Sequence, residues 1–147
     1  MMLESLRKLF SRDIDKLKEE LLAYSDESLI WYIDNDIKNS AGNLALHLVG
    51  NLNWFIGSQI GNSGYVRERE LEFLKEASRD ALLLDLEETK RVVDRSHEKM
   101  TNSSFEETYP VNVFGEEMSI TYFLLHLSSH LSYHLGQVNY HRRFFDS

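Results

Sequence analysis

The sequence predicts an all-α protein, a four-helix bundle with a long crossover connection between helices two and three. Four segments of about twenty residues repeat apolar side chains at steps of three and four, which places those side chains on one helical face. No segment shows a convincing alternation of apolar and polar residues. One proline and seven glycines leave little of the turn-forming composition that many short strands need. Such a pattern is typical of a helical bundle.

The first predicted helix runs from about residue 3 to residue 24. The short apolar stretch over residues 28–34 that follows is expected to form a turn of helix or an extended connector. The second helix is predicted to start near Ser40 and to reach about Ile60. Two glycines and an asparagine within residues 61–64 then end it, because these residues tolerate positive φ angles.

The crossover connection comes next, with a charged run at residues 67–70 and room for one helical turn. Ser78 is a suitable N-cap for the third helix. Residues 101–118 are the least regular part of the chain and are expected to form an extended stretch or a short hairpin. Ser119 is the predicted N-cap of the fourth helix, which reaches to about Phe144.

Length and composition restrict the class of protein. A chain of 147 residues favours a single domain over residues 1–147. The 24 acidic and 16 basic residues give a net charge of −8, which is unsuited to binding the phosphate backbone of a nucleic acid. No apolar stretch is long enough to cross a membrane, and the N-terminus lacks a signal-peptide core, so a cytoplasmic protein without a membrane partner is expected. Cysteine is absent, so any transition-metal site must be built from histidine, carboxylate and water.

Histidine is the residue type with an unusual arrangement. His126, His130 and His134 follow one another at four-residue spacing in the fourth helix, within an arc of roughly 80°. Two histidines at this spacing can bind one metal ion, but no glutamate follows His130, so the general base of an H-E-x-x-H protease is missing. His47 lies within helix two, and ligands on facing helices meet in the core of a bundle. The alternative is a buried imidazole that bonds a backbone carbonyl or a serine.

Several other polar residues carry separate expectations. His97 and His141 lie near helix ends and are expected to be solvated. Gln137 falls within the arc of the helix-four histidines and could orient a ligand or a water, or only join two helices by a hydrogen bond. Asn51 lies one turn after His47, where contact with a substrate and simple packing both remain open.

Two motifs carry a resemblance to a known family. They are Asn43-Leu-Ala-Leu-His47-Leu-Val-Gly-Asn51-Leu-Asn-Trp54 in helix two and His130-Leu-Ser-Tyr-His134-Leu-Gly-Gln137 in helix four, supported by residues 67–73 and by Arg142-Arg143. In this order and separation they resemble the DinB-like superfamily of small four-helix-bundle metalloproteins, in particular a branch of uncharacterised bacterial proteins. The resemblance covers essentially the whole chain.

The resemblance implies a divalent metal ion, nickel or zinc, held by one histidine of helix two and the H-x3-H pair of the last helix. Carried onto this sequence, the ligands are His47, His130 and His134. Three imidazoles plus water are typical of an open, catalytic type of site. Zinc, nickel and iron(II) all suit imidazole ligands. The resemblance also implies a homodimer.

The resemblance further implies chemistry on sulfur, since characterised relatives include thiol-dependent S-transferases and a mycothiol-dependent isomerase. A metal ion deprotonates a bound thiol, and the thiolate is the nucleophile. The hypothesis is therefore a metal-dependent S-transferase that uses a low-molecular-weight thiol on a small-molecule substrate. In it, His126 or Gln137 would handle a proton or position the substrate.

Two alternatives stay open. The first is metal-assisted hydrolysis by a bound water, which normally benefits from a nearby carboxylate base. The fourth helix has no aspartate or glutamate between Glu117 and Asp146, which weakens that hypothesis. The second is a non-enzymatic, dimeric metal-binding stress protein whose metal is structural.

Overall fold

The computed structural model describes residues 2–146, without the side chains of residues 102 and 103. It contains five α-helices: α1 (Met2–Ala23), α2 (Ala41–Leu52), α3 (Leu71–Leu74), α4 (Arg79–Glu98) and α5 (Ile120–Phe145). Helices α1, α2, α4 and α5 form the bundle, and the short α3 lies in the crossover between α2 and α4. No β-strand occurs over residues 2–146. The predicted all-α bundle with a long crossover is confirmed.

The four long helices surround one apolar core. Helices α1 and α2 each pack against both α4 and α5. The side chains from α1 and α5 that are almost fully buried are Leu6, Phe10, Ile14, Leu17, Leu21, Phe123, Leu124, Leu127, Leu131 and Val138. This packing fixes α2 beside α5 and so brings their histidines to the same place. No helix in the described part of the chain combines the length and the apolar character needed to cross a membrane.

Serine side chains cap the N-termini of the three long helices that follow a connection, α2, α4 and α5. The hydroxyl oxygens of Ser40, Ser78 and Ser119 each accept a hydrogen bond from the backbone N–H three residues later, at 3.0, 3.1 and 3.1 Å. Each bond satisfies an amide that the first helical turn cannot pair internally. The predicted N-caps at Ser78 and Ser119 and the predicted start near Ser40 are therefore confirmed.

The second helix does not continue as an α-helix to residue 60. After α2 the chain forms a π-helical segment, Asn53–Ser58. The buried side chain of Asn53 donates hydrogen bonds of 2.8 Å to the carbonyl of Val49 and to the hydroxyl of Thr89. The bond to Thr89 ties the widened turn to α4. Periodicity of apolar residues does not distinguish such a segment from an ordinary helix.

The extended stretch or short hairpin expected within residues 101–118 is found only in part: no β-strand forms in the described chain, but an isolated antiparallel bridge joins Thr108 to Ser119. The segment instead begins with a 3₁₀ turn, Asn102–Glu106, and continues as an irregular loop. The hydroxyl of Tyr109 donates to the carbonyl of Phe55, and that of Thr121 donates to the carbonyl of Phe105. The backbone N–H groups of Tyr109 and Ile120 also donate to the carbonyls of Met118 and Glu107, each at 2.9 Å. The loop is thus held both by pairing between its two ends and by side-chain bonds to neighbouring segments.

Candidate metal centre

Three histidines meet where α2 faces α5. His47 comes from the middle of α2, and His130 and His134 lie one turn apart on α5. The Nε2 atom of His130 is 3.2 Å from Nε2 of His47 and 3.1 Å from Nε2 of His134. One nitrogen of each ring lies within 4.8 Å of the others. The three rings are therefore close enough to hold one metal ion.

The spacing of the three nitrogens fits a shared cation. Zinc–imidazole bonds of about 2.0–2.1 Å in a tetrahedral site separate the ligand nitrogens by about 3.3–3.4 Å. The separations of Nε2 of His130 from the other two Nε2 atoms, 3.1 and 3.2 Å, fall only slightly below that range. The rings need only a small outward shift to reach it.

Hydrogen bonds on the far side of two rings decide where the lone pairs point. Nδ1 of His47 is 3.0 Å from Oε1 of Glu72, and Nδ1 of His134 is 2.7 Å from Oε1 of Gln137. Because both oxygens only accept, both Nδ1 atoms carry the proton, which leaves each Nε2 with a lone pair. A proton on Nε2 of His130 can satisfy only one of these lone pairs, whereas a cation satisfies all three nitrogens.

Burial favours the neutral, metal-binding form of the α5 pair. Burial, together with the neighbouring imidazoles of His134 and His47, lowers the pKa of His130 to about 4. Burial also lowers the pKa of His134, although the bond to Gln137 opposes the shift. Nδ1 of His130 is a buried nitrogen without a hydrogen-bond partner among the described residues. Both rings are therefore neutral near pH 7, as metal ligation requires.

Glu72, on α3, positions the ring of His47. Its carboxylate accepts from His47, and it also accepts from Nε and Nη2 of Arg67 at 2.8 and 2.9 Å. Burial opposes ionisation of Glu72, but the hydrogen bonds from His47 and Arg67 outweigh it and lower the pKa of Glu72. A carboxylate behind a histidine fixes its tautomer and orientation and raises its basicity as a ligand.

A glycine on α2 makes room for this carboxylate. A Cβ atom at Gly50 would lie 1.9 Å from Oε2 of Glu72. Nδ2 of Asn43 donates to the backbone carbonyl of Glu72 at 3.2 Å, and the ring of Phe73 lies 5.4 Å from that of His47. The crossover is therefore held against α2 on both sides of His47.

The other predicted site residues lie in different positions. Gln137 contacts His134 directly. His126 is half-buried and stacks on Phe123 with 5.7 Å between ring centroids, and its ring lies 6.3 Å from that of His130. It lies beside the three-histidine cluster without joining it. Oδ1 of Asn51 is a buried atom without a partner in the described chain.

The expectation that His97 and His141 are solvated is wrong. They are 2% and 5% exposed, and burial lowers the pKa of both. Nδ1 of His97 donates to the carbonyl of Val93 at 2.9 Å. Nε2 of His141 donates to the carbonyl of Tyr32 at 2.8 Å, and Nδ1 accepts from the hydroxyl of Tyr24 at 2.6 Å. The connection after α1 covers the end of α5 and so buries His141. The position of a histidine near a helix end does not predict such a cover.

Sequence reasoning missed Glu72. It lies 25 residues from His47 in a charged connection, so no local spacing links the two. One signal was present in Gly50, because a glycine inside a helix costs about 1 kcal/mol relative to alanine and marks a close approach by another group.

Comparison with known proteins places the chain in a family without assigning it an activity. A family model described as "Protein of unknown function (DUF1572)" matches residues 1–147. No curated protein matches the chain.

Proposed function

This chain belongs to the DUF1572 family of proteins of unknown function, and we propose that it binds a divalent transition metal through His47, His130 and His134. The observation that carries the proposal is the convergence of three Nε2 atoms, two of which present lone pairs to the third. The proposed metal is zinc or nickel, with iron(II) as a further option, because an all-imidazole set suits each of these ions.

We propose further that the site activates a low-molecular-weight thiol whose sulfur attacks an electrophilic carbon of a small-molecule substrate, so that a C–S bond forms as the bond from that carbon to its leaving group breaks. Three protein ligands leave a coordination position open, and a bound divalent metal supplies positive charge that favours the thiolate form. In this mechanism Glu72 orients His47 and Gln137 orients His134. His126, beside His130 in an aromatic wall, is the proposed acceptor of the thiol proton. The DinB-like resemblance supports the thiol-dependent chemistry.

Hydrolysis gains no support from the carboxylate found at the site. Both oxygens of Glu72 are engaged, one by His47 and Arg67 and the other by Arg67. A carboxylate held in this way is not free to take a proton from an attacking water. A non-enzymatic metal-binding protein would need the same three ligands, and it differs from the thiol-activating protein in having no open position for a thiol.

We also propose a homodimer in the cytoplasm. Tyr122, Leu125 and Tyr133 lie on one face of α5 and are 60%, 42% and 66% exposed. Helices with spare apolar surface commonly pair about a two-fold axis. The cytoplasm keeps small thiols reduced, as the proposed chemistry requires. Sedimentation at several concentrations tests the dimer, and a monomer at all of them contradicts it.

Elemental analysis tests the metal proposal. Wild type, His130→Ala and His126→Ala are compared after reconstitution with zinc, nickel or iron(II) and removal of unbound metal. We expect stoichiometric metal in wild type and in His126→Ala, and a strong loss in His130→Ala. No stoichiometric metal in wild type with any of the three ions contradicts the proposal.

A cobalt-substituted sample then tests the thiol step separately. Addition of 2-mercaptoethanol is expected to produce a sulfur-to-cobalt charge-transfer band in the near ultraviolet. If the cobalt-loaded protein shows no such band, the transferase proposal is contradicted and the metal proposal stands.

A further inference from the structure

A cavity of about 430 Å³ lies in the groove between α2 and α5. The residues that line it come from the segment before α2, from α2 and from α5: 36–39, Leu44, Gln137, Tyr140, His141 and Phe144. The volume falls within the roughly 300–1,000 Å³ typical of sites for small organic molecules. Neither the metal ligands nor the proposed thiol step accounts for it.

The cavity begins one helical turn from the histidine cluster on both helices. Leu44 lies three residues before His47, and Gln137 lies three residues after His134. One turn of helix is about 5.4 Å long. Gln137 belongs to both places, since its Oε1 atom accepts from Nδ1 of His134 while its side chain lines the cavity. A molecule in the cavity can therefore extend along the groove to the cluster.

The cavity has an apolar floor and aromatic sides. Leu44 and His141 are each 5% exposed and form the floor. Both nitrogens of His141 are already bonded, to Tyr24 and to Tyr32, so its ring offers no free polar atom. Tyr140 and Phe144 lie at the sides and are 71% and 76% exposed. These surfaces suit a molecule with a flat or branched apolar body.

One cation in the lining of the cavity can pair with an anion. Lys38 lines it, and the guanidinium of Arg143 lies 5.2 Å from the ring centroid of Tyr140. Asp36 contributes one opposing carboxylate. Within the lining Lys38 and Asp36 balance each other, and outside it Asp34, whose backbone pairs with that of Ile37, offsets Arg143. Lys38 is the lining cation with which a carboxylate on the bound molecule can pair.

We propose that this cavity binds the organic substrate or the thiol, as a small aromatic or aliphatic molecule that carries one carboxylate. Its apolar body packs on Leu44, Tyr140 and Phe144, its carboxylate faces Lys38, and its reactive end lies beside Gln137. The role in thiol chemistry rests on the proposed function, whereas binding in the cavity does not require the metal.

Calorimetry with 4-methylbenzoate tests the cavity by itself. Tyr140→Ala is expected to weaken binding about fivefold through the loss of ring contact, and Lys38→Gln about threefold through the loss of an exposed charge pair. Leu84→Ala is the matched control, because Leu84 on α4 is also 71% exposed. It should leave the affinity unchanged. Binding that is undetectable at millimolar concentration, or that neither cavity variant weakens, overturns the proposal.

Cobalt-loaded protein with 4-(mercaptomethyl)benzoate tests the link to the histidines. The charge-transfer band is expected to saturate at lower concentration than with benzyl mercaptan, which lacks the carboxylate, and Lys38→Gln should remove that difference. Equal saturation by both thiols in wild type overturns the cavity's role while the metal and thiol proposals stand. If wild type does not bind cobalt at all, the proposed function is overturned. In that case the binding of 4-methylbenzoate still decides whether the cavity is a binding site.

Discussion

Replacing Glu72 with glutamine removes the negative charge that His47 and Arg67 share. The substitution preserves size but converts one acceptor oxygen into an NH2 group, which then faces a donor N–H of Arg67 or His47. The Arg67 side chain is only 11% exposed, so water does not replace the lost partner fully. We therefore expect the variant to affect both the stability of the metal-free protein and its affinity for metal.

The magnitudes follow from the bonds involved. A hydrogen bond to a charged group contributes about 1.5–3 kcal/mol, and the glutamine retains one acceptor, so we expect a loss of about 2–3 kcal/mol in the free energy of unfolding. Removing the partner behind a metal-binding histidine typically weakens metal affinity about 10–100-fold. The two effects have one cause, the loss of the carboxylate that orients His47.

Urea denaturation of the metal-free protein, followed by circular dichroism, measures the first effect. Zinc competition against a chromophoric chelator measures the second. Glu70→Gln is the matched control, because Glu70 lies in the same segment and is exposed. A surface change of this kind should stay within about 0.5 kcal/mol. Zinc affinity of Glu72→Gln within twofold of that of Glu70→Gln would refute the positioning role of Glu72.

Three further predictions concern other parts of the structure. Gly50→Ala should reproduce the loss of zinc affinity seen in Glu72→Gln, because a Cβ atom there displaces the same carboxylate; unchanged affinity in the competition assay argues against the close packing. Gln137→Leu should weaken zinc binding by less than Glu72→Gln, since a neutral acceptor is lost from His134, and a larger effect would reverse that ranking. Burial lowers the pKa of His97 and His141 below the ordinary 6.5. Between these lowered pKa values and pH 6.5, the unfolded chain therefore binds more protons than the folded protein does. The free energy of unfolding should be highest above pH 6.5 and should fall as the pH drops through it, by at most about 1.4 kcal/mol per pH unit for each histidine. His97→Leu should flatten this fall in denaturation experiments from pH 8 to pH 5 with chelator present, and an equally steep profile contradicts the assignment.

Much of the bundle could be predicted because its signals are local. Apolar periodicity marks a helix wherever one face is buried, and serine at Ser78 and Ser119 caps the next helix through a bond to a residue three positions away. The i, i+4 spacing of His130 and His134 likewise fixes their relative position from sequence alone. His47 was a candidate because it lies on a second helix of the bundle, and the family resemblance selected it as a ligand together with His130 and His134.

The parts that were not predicted depend on contacts between distant segments. Glu72 reaches His47 only because the crossover packs at Gly50, and His141 is buried only because Tyr24 and Tyr32 lie over the end of α5. The π-helical segment after α2 similarly depends on a bond from Asn53 to α4. Such contacts exist only after the bundle has assembled.

X-ray absorption spectroscopy of the zinc-loaded protein tests most directly whether His47, His130 and His134 bind one metal ion together. The expected spectrum shows three imidazole nitrogens and one further light atom, at about 2.0–2.1 Å. His130→Ala should lose both zinc and this spectrum. A six-coordinate, oxygen-dominated spectrum in wild type, or the same imidazole scattering in His130→Ala, would contradict a metal site built from these three histidines.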